Sequence, residues 1–291
     1  METILITGAT GTVGSETVKA LAGDDVRVRA GVHSLIKGDR FRDLPNVEMV
    51  HLDFHDANSL KAAFTGVTRV FLITPFTEDQ VKIGKLLIDY AKEVGVKQVV
   101  RLSAIGADAE PGIQLGRWHR EIEKYLEESG LPFTILRPSS FMQNFVHYNA
   151  ASVRNEDKIY MPLGKGKVGY IDVRDIAEVA RIVLTSSEEH LNKIYELTGA
   201  AAITVNDVAH AITQATNRLI VYVDVPEEVA AAAMTQNHMP DWMVAAMMEL
   251  HGTAKAGYAD KITDTVEKIT GLQARSINDF AEDCCAAFQP A

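Results

Sequence analysis

The chain has 291 residues, 47% of them hydrophobic and 23% charged, enough apolar material for one large domain, or a domain with a smaller appendage, and no composition for wholesale disorder. A formal net charge of -10 without a long Lys/Arg run argues against a nucleic-acid backbone as partner, which needs a basic face. No stretch approaches the roughly 18 uninterrupted apolar residues of a membrane span, no secretory leader pattern opens the chain, and Cys284 and Cys285 are adjacent, so they cannot staple it. A soluble cytoplasmic protein with reduced cysteines and no membrane partner is expected.

Short apolar runs alternate with helical patterns. Strands are predicted at 4–7, 26–32, 47–52, 69–74, 98–103 and 133–136, with helices at 15–22, 58–64, about 79–94 and 116–128. Each strand is nearly continuous in apolar residues, as strands buried on both faces are, so the fold class is α/β: a doubly wound, Rossmann-type parallel sheet with helices on both sides. After Pro138 the rhythm loosens. Short strands are expected at 158–160, 168–171, 194–197 and 219–223, helices at 173–184 and 205–215, and further helices in the Ala- and Met-rich stretch 226–256. The expected division is a nucleotide-binding domain over 1–150, with returning elements from about 168–200, and a smaller mixed α/β C-terminal lobe over 151–291.

Gly8-Ala9-Thr10-Gly11-Thr12-Val13-Gly14 directly follows the first strand and opens a helix. A helix N-terminus offers unpaired N–H groups and partial positive charge, and glycines let the backbone close on a pyrophosphate. In this context the pattern points to a dinucleotide, with Gly8, Thr10, Gly11, Thr12, Val13 and Gly14 around the phosphates. The second strand ends without the acid that would hold a ribose 2′-hydroxyl. His33 and Lys37 lie there instead, with Arg29 nearby, so NADP(H) is favoured over NAD(H), although these cations also suit a solvated surface. Asp53-Phe54 ends the third strand, where the carboxylate either accepts from the adenine amino group, with the ring flanking the base, or orders the following loop. Ser103, ending the fifth strand, either hydrogen-bonds a substrate carbonyl or caps a turn. Thr74 and Pro75 end the fourth strand, at the edge where ligands bind. Asp172 and Asp175 suit a helix cap and an ion pair better than paired catalytic acids. Met234, Met239, Met243, Met247 and Met248, with Trp242, either pack a core or line an adaptable apolar pocket. No metal-ligand spacing and no hydrolase nucleophile elbow is present.

The motifs GATGTVG (8–14), LDFHD (52–56), VFLITP (70–75), RLSAIGAD (101–108), WHREIEKYLEESGLPFTILRPSSFMQN (118–144), YIDVRDIAEVA (170–180) and YELTG (195–199) together resemble the NmrA-like group of atypical short-chain dehydrogenase/reductases. The resemblance spans nearly the whole chain. It implies a small-molecule substrate, NAD(P), Pro138 and Phe141 along the nicotinamide, and a homodimer. Members include quinone, azo-dye and triphenylmethane-dye reductases, and also non-catalytic sensors of nicotinamide redox state. Most short-chain dehydrogenases carry Tyr-x-x-x-Lys on the helix after the fifth strand, yet no tyrosine here is followed four residues later by lysine. His119 sits where relatives place that lysine. Hydride transfer to an acceptor that already stabilises negative charge, such as a quinone or conjugated electrophile, asks mainly for orientation. His119, with an ordinary pKa near working pH, is the candidate proton donor, and a surface histidine is the alternative.

Overall fold

The computed structural model describes residues 1–186 and 188–290. In chain order the elements are β1 (Glu2–Ile6), α1 (Thr12–Leu21), β2 (Val26–Val32), α2 (Leu35–Gly38), β3 (Val47–His51), α3 (Ala57–Phe64), β4 (Arg69–Leu72), α4 (Gln80–Glu93), β5 (Gln98–Leu102), α5 (Gln114–Glu128) and β6 (Phe133–Pro138). There follow α6 (Ala150–Glu156), β7 (Lys158–Met161), α7 (Val173–Thr185), β8 (Lys193–Leu197), α8 (Val205–Thr216), β9 (Val221–Asp224), α9 (Glu227–Gln236), α10 (Asp241–Lys255), α11 (Thr265–Thr270), α12 (Ile277–Asp283) and α13 (Cys285–Phe288). A 3-10 turn spans Asp39–Phe41 and a π-helical turn Phe145–Asn149. The residues divide into two compact units. One comprises Met1–Gly112, Gly116–Pro138 and Val173–Glu196; the other comprises Ile113–Leu115, Ser139–Asp172 and the chain from Leu197 on.

The first unit is built on a seven-stranded sheet in the order β3-β2-β1-β4-β5-β6-β8. The five pairings from β3 through β6 are parallel. Asn192 N–H donates to Phe133 O where β8 begins, so this last strand starts beside the start of β6. Strand order reverses between β1 and β4, and Thr7 stitches that junction: its hydroxyl donates to Ile73 O at 2.8 Å and accepts from Ile73 N at 2.7 Å. Ile4, Leu5, Ile6, Val70, Phe71, Leu72, Val99 and Val100 are all fully buried, as strands covered on both faces require. Leu5, Val70, Leu72 and Val99 pack with Leu60 and Phe64 of α3, Leu87 of α4, and Ile122 and Leu126 of α5. Alternation along the strand turns Ile4 and Ile6 to the other face, where α1 packs on α7.

The second unit has its own core, in which Phe145, Ile159, Val208, Ile212, Phe280 and Phe288 meet, and a two-stranded parallel sheet of β7 and β9. The strand expected at 168–171 does not form. Val168 N–H bonds Ile203 O, Gly169 N–H bonds Ala259 O and Ile171 N–H bonds Ser140 O, so successive residues spend their hydrogen bonds on three different segments and only isolated bridges result. The Met-rich stretch is helical, on α9 and α10, and its five methionines are half-buried. Neither Cys284 nor Cys285 is in a disulfide. Among the described residues no helix is long and apolar enough to cross a membrane.

Candidate functional site

The loop between β1 and α1 is shaped by glycine. Gly8 takes φ +65°, a left-handed conformation natural to glycine. A Cβ on Gly14 would lie 2.3 Å from the Gly8 carbonyl oxygen and 3.0 Å from Ala9 Cα, so no side chain fits there. Gly11 is the N-cap of α1, in extended conformation and exposed, and no side chain caps the helix. The start of α1 therefore keeps its positive end open to an anion. Thr10 and Thr12 are half-buried and Val13 is buried, anchoring the helix start to the sheet. This is a cradle that a dinucleotide pyrophosphate fits and that any Cβ at Gly14 would obstruct.

Beside the loop, His33 and Lys37 are exposed, and the His33 ring lies 6.2 Å from that of His51. Arg29 is not part of this surface. Its guanidinium pairs with Glu48 at 2.7 Å and donates to the Ala63 and Thr65 carbonyls at the C-terminus of α3, a use that suits a cation. The residue that sequence reasoning missed is Arg40. Its Nη2 donates to the Thr10 carbonyl at 2.7 Å and its guanidinium lies 5.0 Å from the centre of the buried Phe41 ring. One hydrogen bond leaves most of its donors open at the edge of the loop.

Asp53 orders its own loop: Oδ1 accepts from His55 N at 2.9 Å, while Asp53 N donates to Ser59 Oγ at 2.8 Å. Phe54 is half-buried against the core beneath α3 and α4. Loop ordering is thus one use of Asp53.

At the carboxyl ends of β4 and β5 lies a cluster that the sequence reading did not assemble. Arg101, on β5, is 1% exposed. Its Nη1 donates to Leu72 O at 3.3 Å and also to Leu102 O; its Nη2 donates to Thr74 Oγ1 at 3.1 Å and meets His119 Nδ1 at 3.3 Å. Desolvation pulls the guanidinium down to about 9, with Glu123 opposing, so it remains a cation at neutral pH. Desolvation and then the Arg101 charge push His119 down to about 3. The expectation of a histidine titrating near working pH is therefore corrected: the ring is neutral there and holds no spare proton. His119 is half-buried, on the α5 stripe that carries Gly116, Glu123 and Leu126 inward, and is not a free surface group.

Ser103 is 4% exposed and donates to Glu123 Oε1 at 2.6 Å. A hydroxyl has one proton, so Ser103 cannot also donate to a substrate carbonyl. Glu123 is fully buried and further accepts from Arg137 Nε at 2.9 Å, Arg137 Nη2 at 2.7 Å and Arg120 Nη1 at 3.1 Å, while Arg137 reaches Asp108 at 2.6 Å. Burial alone would raise the Glu123 carboxyl, but hydrogen bonds from Arg137 and Ser103 outweigh it and hold it below its ordinary value. This network locks β5, α5 and β6 together. Pro138 is buried and its carbonyl accepts from Ile105 N at 3.0 Å; Thr74 and Pro75 are half-buried. In the second unit, Phe141 is half-buried and bridges to Ile171, Met142 enters the core, and Gln143 donates to the fully buried Asp172 at 2.8 Å. Among the described residues no group of three His, Cys, Asp or Glu could hold a metal ion.

Comparison with known proteins gives the family. The chain is 40% identical over 285 residues to the NAD(P)H azoreductase of Xenophilus azovorans, covering 98% of this chain and 99% of that one. Its fold matches the NADPH-dependent quinone oxidoreductase of Escherichia coli, solved with NADPH, at a TM-score of 0.84, with 26% identity and coverage of 96% and 99%. Triphenylmethane reductase of Citrobacter sp. shares the fold at a TM-score of 0.86, with 22% identity and coverage of 98% and 100%. The model of the NmrA-like family matches residues 1–282, and the chain belongs to that family.

Proposed function

We propose that the protein reduces a quinone-like, azo or otherwise conjugated aromatic acceptor at the expense of NADPH. The chain is an NAD(P)H-dependent oxidoreductase of the azo-, quinone- and dye-reductase type. The observation that carries the reading is the loop in which Gly14 has no room for a Cβ, at a helix start that no side chain caps, in a chain whose 40% identical relative is a named azoreductase over its full length. When bound, the reduced dinucleotide supplies two electrons as hydride.

The chain's own residues bind, orient and shield. Gly8 to Gly14 hold the pyrophosphate. Lys37 and Arg40 offer cations, and His33 a hydrogen-bond donor, to a ribose 2′-phosphate, which favours NADPH over NADH. Asp53 Oδ2 and Phe54 take the adenine. Thr74, Pro75, Ser103 and Pro138 stand along the nicotinamide, with Ser103 as a positioning residue because its proton belongs to Glu123. The chain has no Tyr-x-x-x-Lys pair, and acceptors that stabilise their own negative charge do not need one.

The test follows NADPH and NADH absorbance with purified protein against quinones, azo dyes and enones. Saturable turnover with a lower KM for NADPH, lost in Gly14→Val, supports the reading. Tight cofactor binding without turnover on any acceptor would replace it with a redox-sensing regulator.

A further inference from the structure

We infer that Arg101 fixes His119 in the tautomer with its proton on Nε2, making the ring an uncharged hydrogen-bond donor to the atom on which negative charge collects as the acceptor is reduced. The inference rests on the reductase reading and adds to it a positioning residue and a protonation state.

A guanidinium has only donors, so at 3.3 Å from Arg101 Nη2 the His119 Nδ1 must accept. A neutral imidazole that accepts at Nδ1 carries its hydrogen on Nε2, and no described residue takes a hydrogen bond from that nitrogen. The ring is half-buried, so part of it reaches the surface of its unit. Arg101 also holds Thr74 Oγ1, and Thr74 follows β4 at the point where strand order reverses, the place where open α/β sheets bind ligands.

Stability does not account for the arrangement. Arg101 is 1% exposed, touches no carboxylate, and its Nε has no partner among the described residues. The nearby Glu123 is already saturated by Ser103, Arg137 and Arg120. A buried cation with an unmade hydrogen bond is expensive to fold around. What it supplies is a fixed positive charge and a fixed imidazole at the carbonyl ends of β4 and β5. The acceptor gains a hydrogen with its electron pair from the reduced cofactor. Its conjugated π pair moves onto a terminal oxygen or nitrogen, and water later supplies the proton to that atom. His119 keeps its own proton throughout and stabilises the charge by donation, as neutral imidazoles do elsewhere.

The experiment uses the full chain with 15N-labelled histidine rings, His119 being assigned by its loss in His119→Gln. Expected is an Nε2-protonated neutral ring at pH 7 that stays so to about pH 5, and in Arg101→Met a ring that titrates near the ordinary histidine value of about 6.5. Removing a donor of this kind costs about 100-fold or more in kcat, so His119→Phe should lose that much. His119→Gln, which still donates, should stay within about tenfold of wild type, and both should keep the wild-type affinity for NADPH. An Nδ1-protonated or charged ring at pH 7, or His119→Phe turning over like wild type, overturns the inference. The histidine variants leave Arg101 in place, so they decide the matter even where Arg101→Met fails to fold. A wild-type protein that binds NADPH yet reduces no acceptor sinks the reductase reading itself, whereas wild-type turnover that survives His119→Phe sinks only the role of His119.

Discussion

Cofactor choice and acid sensitivity can be tested at single side chains. Arg40 reaches the Thr10 carbonyl with one nitrogen and leaves the rest open beside the loop. Arg40→Ala should raise the KM for NADPH about tenfold and that for NADH by less than about twofold, since only the former carries a phosphate for a charge-assisted bond. His33→Asp should likewise weaken NADPH more than NADH, and equal losses measured by titration would remove His33 from the 2′-phosphate site. Glu123 is fully buried and accepts four hydrogen bonds from three residues. Glu123→Gln leaves Arg137 without its main counter-charge and should cost about 3–5 kcal/mol, a fall of about 10 °C in Tm by calorimetry. The pH dependence follows from two depressed groups. Glu123 lies below 4.5 in the fold, so its contribution is full above about pH 4.5 and is lost as pH falls through the folded value. His119 falls from 6.5 to about 3, so its contribution is present above about pH 6.5 and is lost progressively on acidification toward 3. Thermal melts should therefore weaken already between pH 6 and pH 5, before the carboxylates titrate.

Elements show what the sequence made legible. The βα rhythm was readable because both faces of the central strands β1, β4 and β5 are covered, which leaves runs such as Ile4-Leu5-Ile6 and Val70-Phe71-Leu72 with no polar interruption. The phosphate loop was readable because its glycines are forced by contact, and the structure starts α1 at Thr12, inside the loop, where the periodicity begins it at Ser15. Arg101 was passed over because a cation in the run Val99-Val100-Arg101-Leu102 breaks the apolar pattern without matching any motif. The signal was the break itself, since a charge between buried strand neighbours must be held by something. Glu123 and His119 had a similar signal in the spacing 116, 119, 123 and 126, which puts both on the inward stripe of α5. The segment 168–171 misled because β-branched residues mark burial as readily as pairing. For β1 and α1, Gly14→Ala drives a Cβ to 2.3 Å from the Gly8 carbonyl. It should abolish NADPH binding in a fluorescence titration and lower Tm, whereas Gly23→Ala, with nothing within 4 Å but φ +95°, should lower Tm modestly and leave binding intact.

At the scale of the whole molecule, the first unit is assembled from three separate stretches of chain. A fragment of residues 1–150 lacks α7, which packs on α1, and β8, which borders β6. Such a fragment should show reduced helicity by circular dichroism and self-associate through the bare edge of β6, whereas a native-like monomer would mean that α7 and β8 are dispensable. The same interleaving has a consequence during synthesis on the ribosome. When Pro138 emerges, the sheet lacks its last strand, and Ser139–Asp172 of the other unit, then Val173–Glu196 of the first, about sixty residues together, must be translated before that strand is complete. At about 5–20 residues per second that is a wait of several seconds with an unpaired strand edge in the open. Nascent chains of this protein should therefore expose the β6 edge over a defined interval that closes only when α7 and β8 arrive.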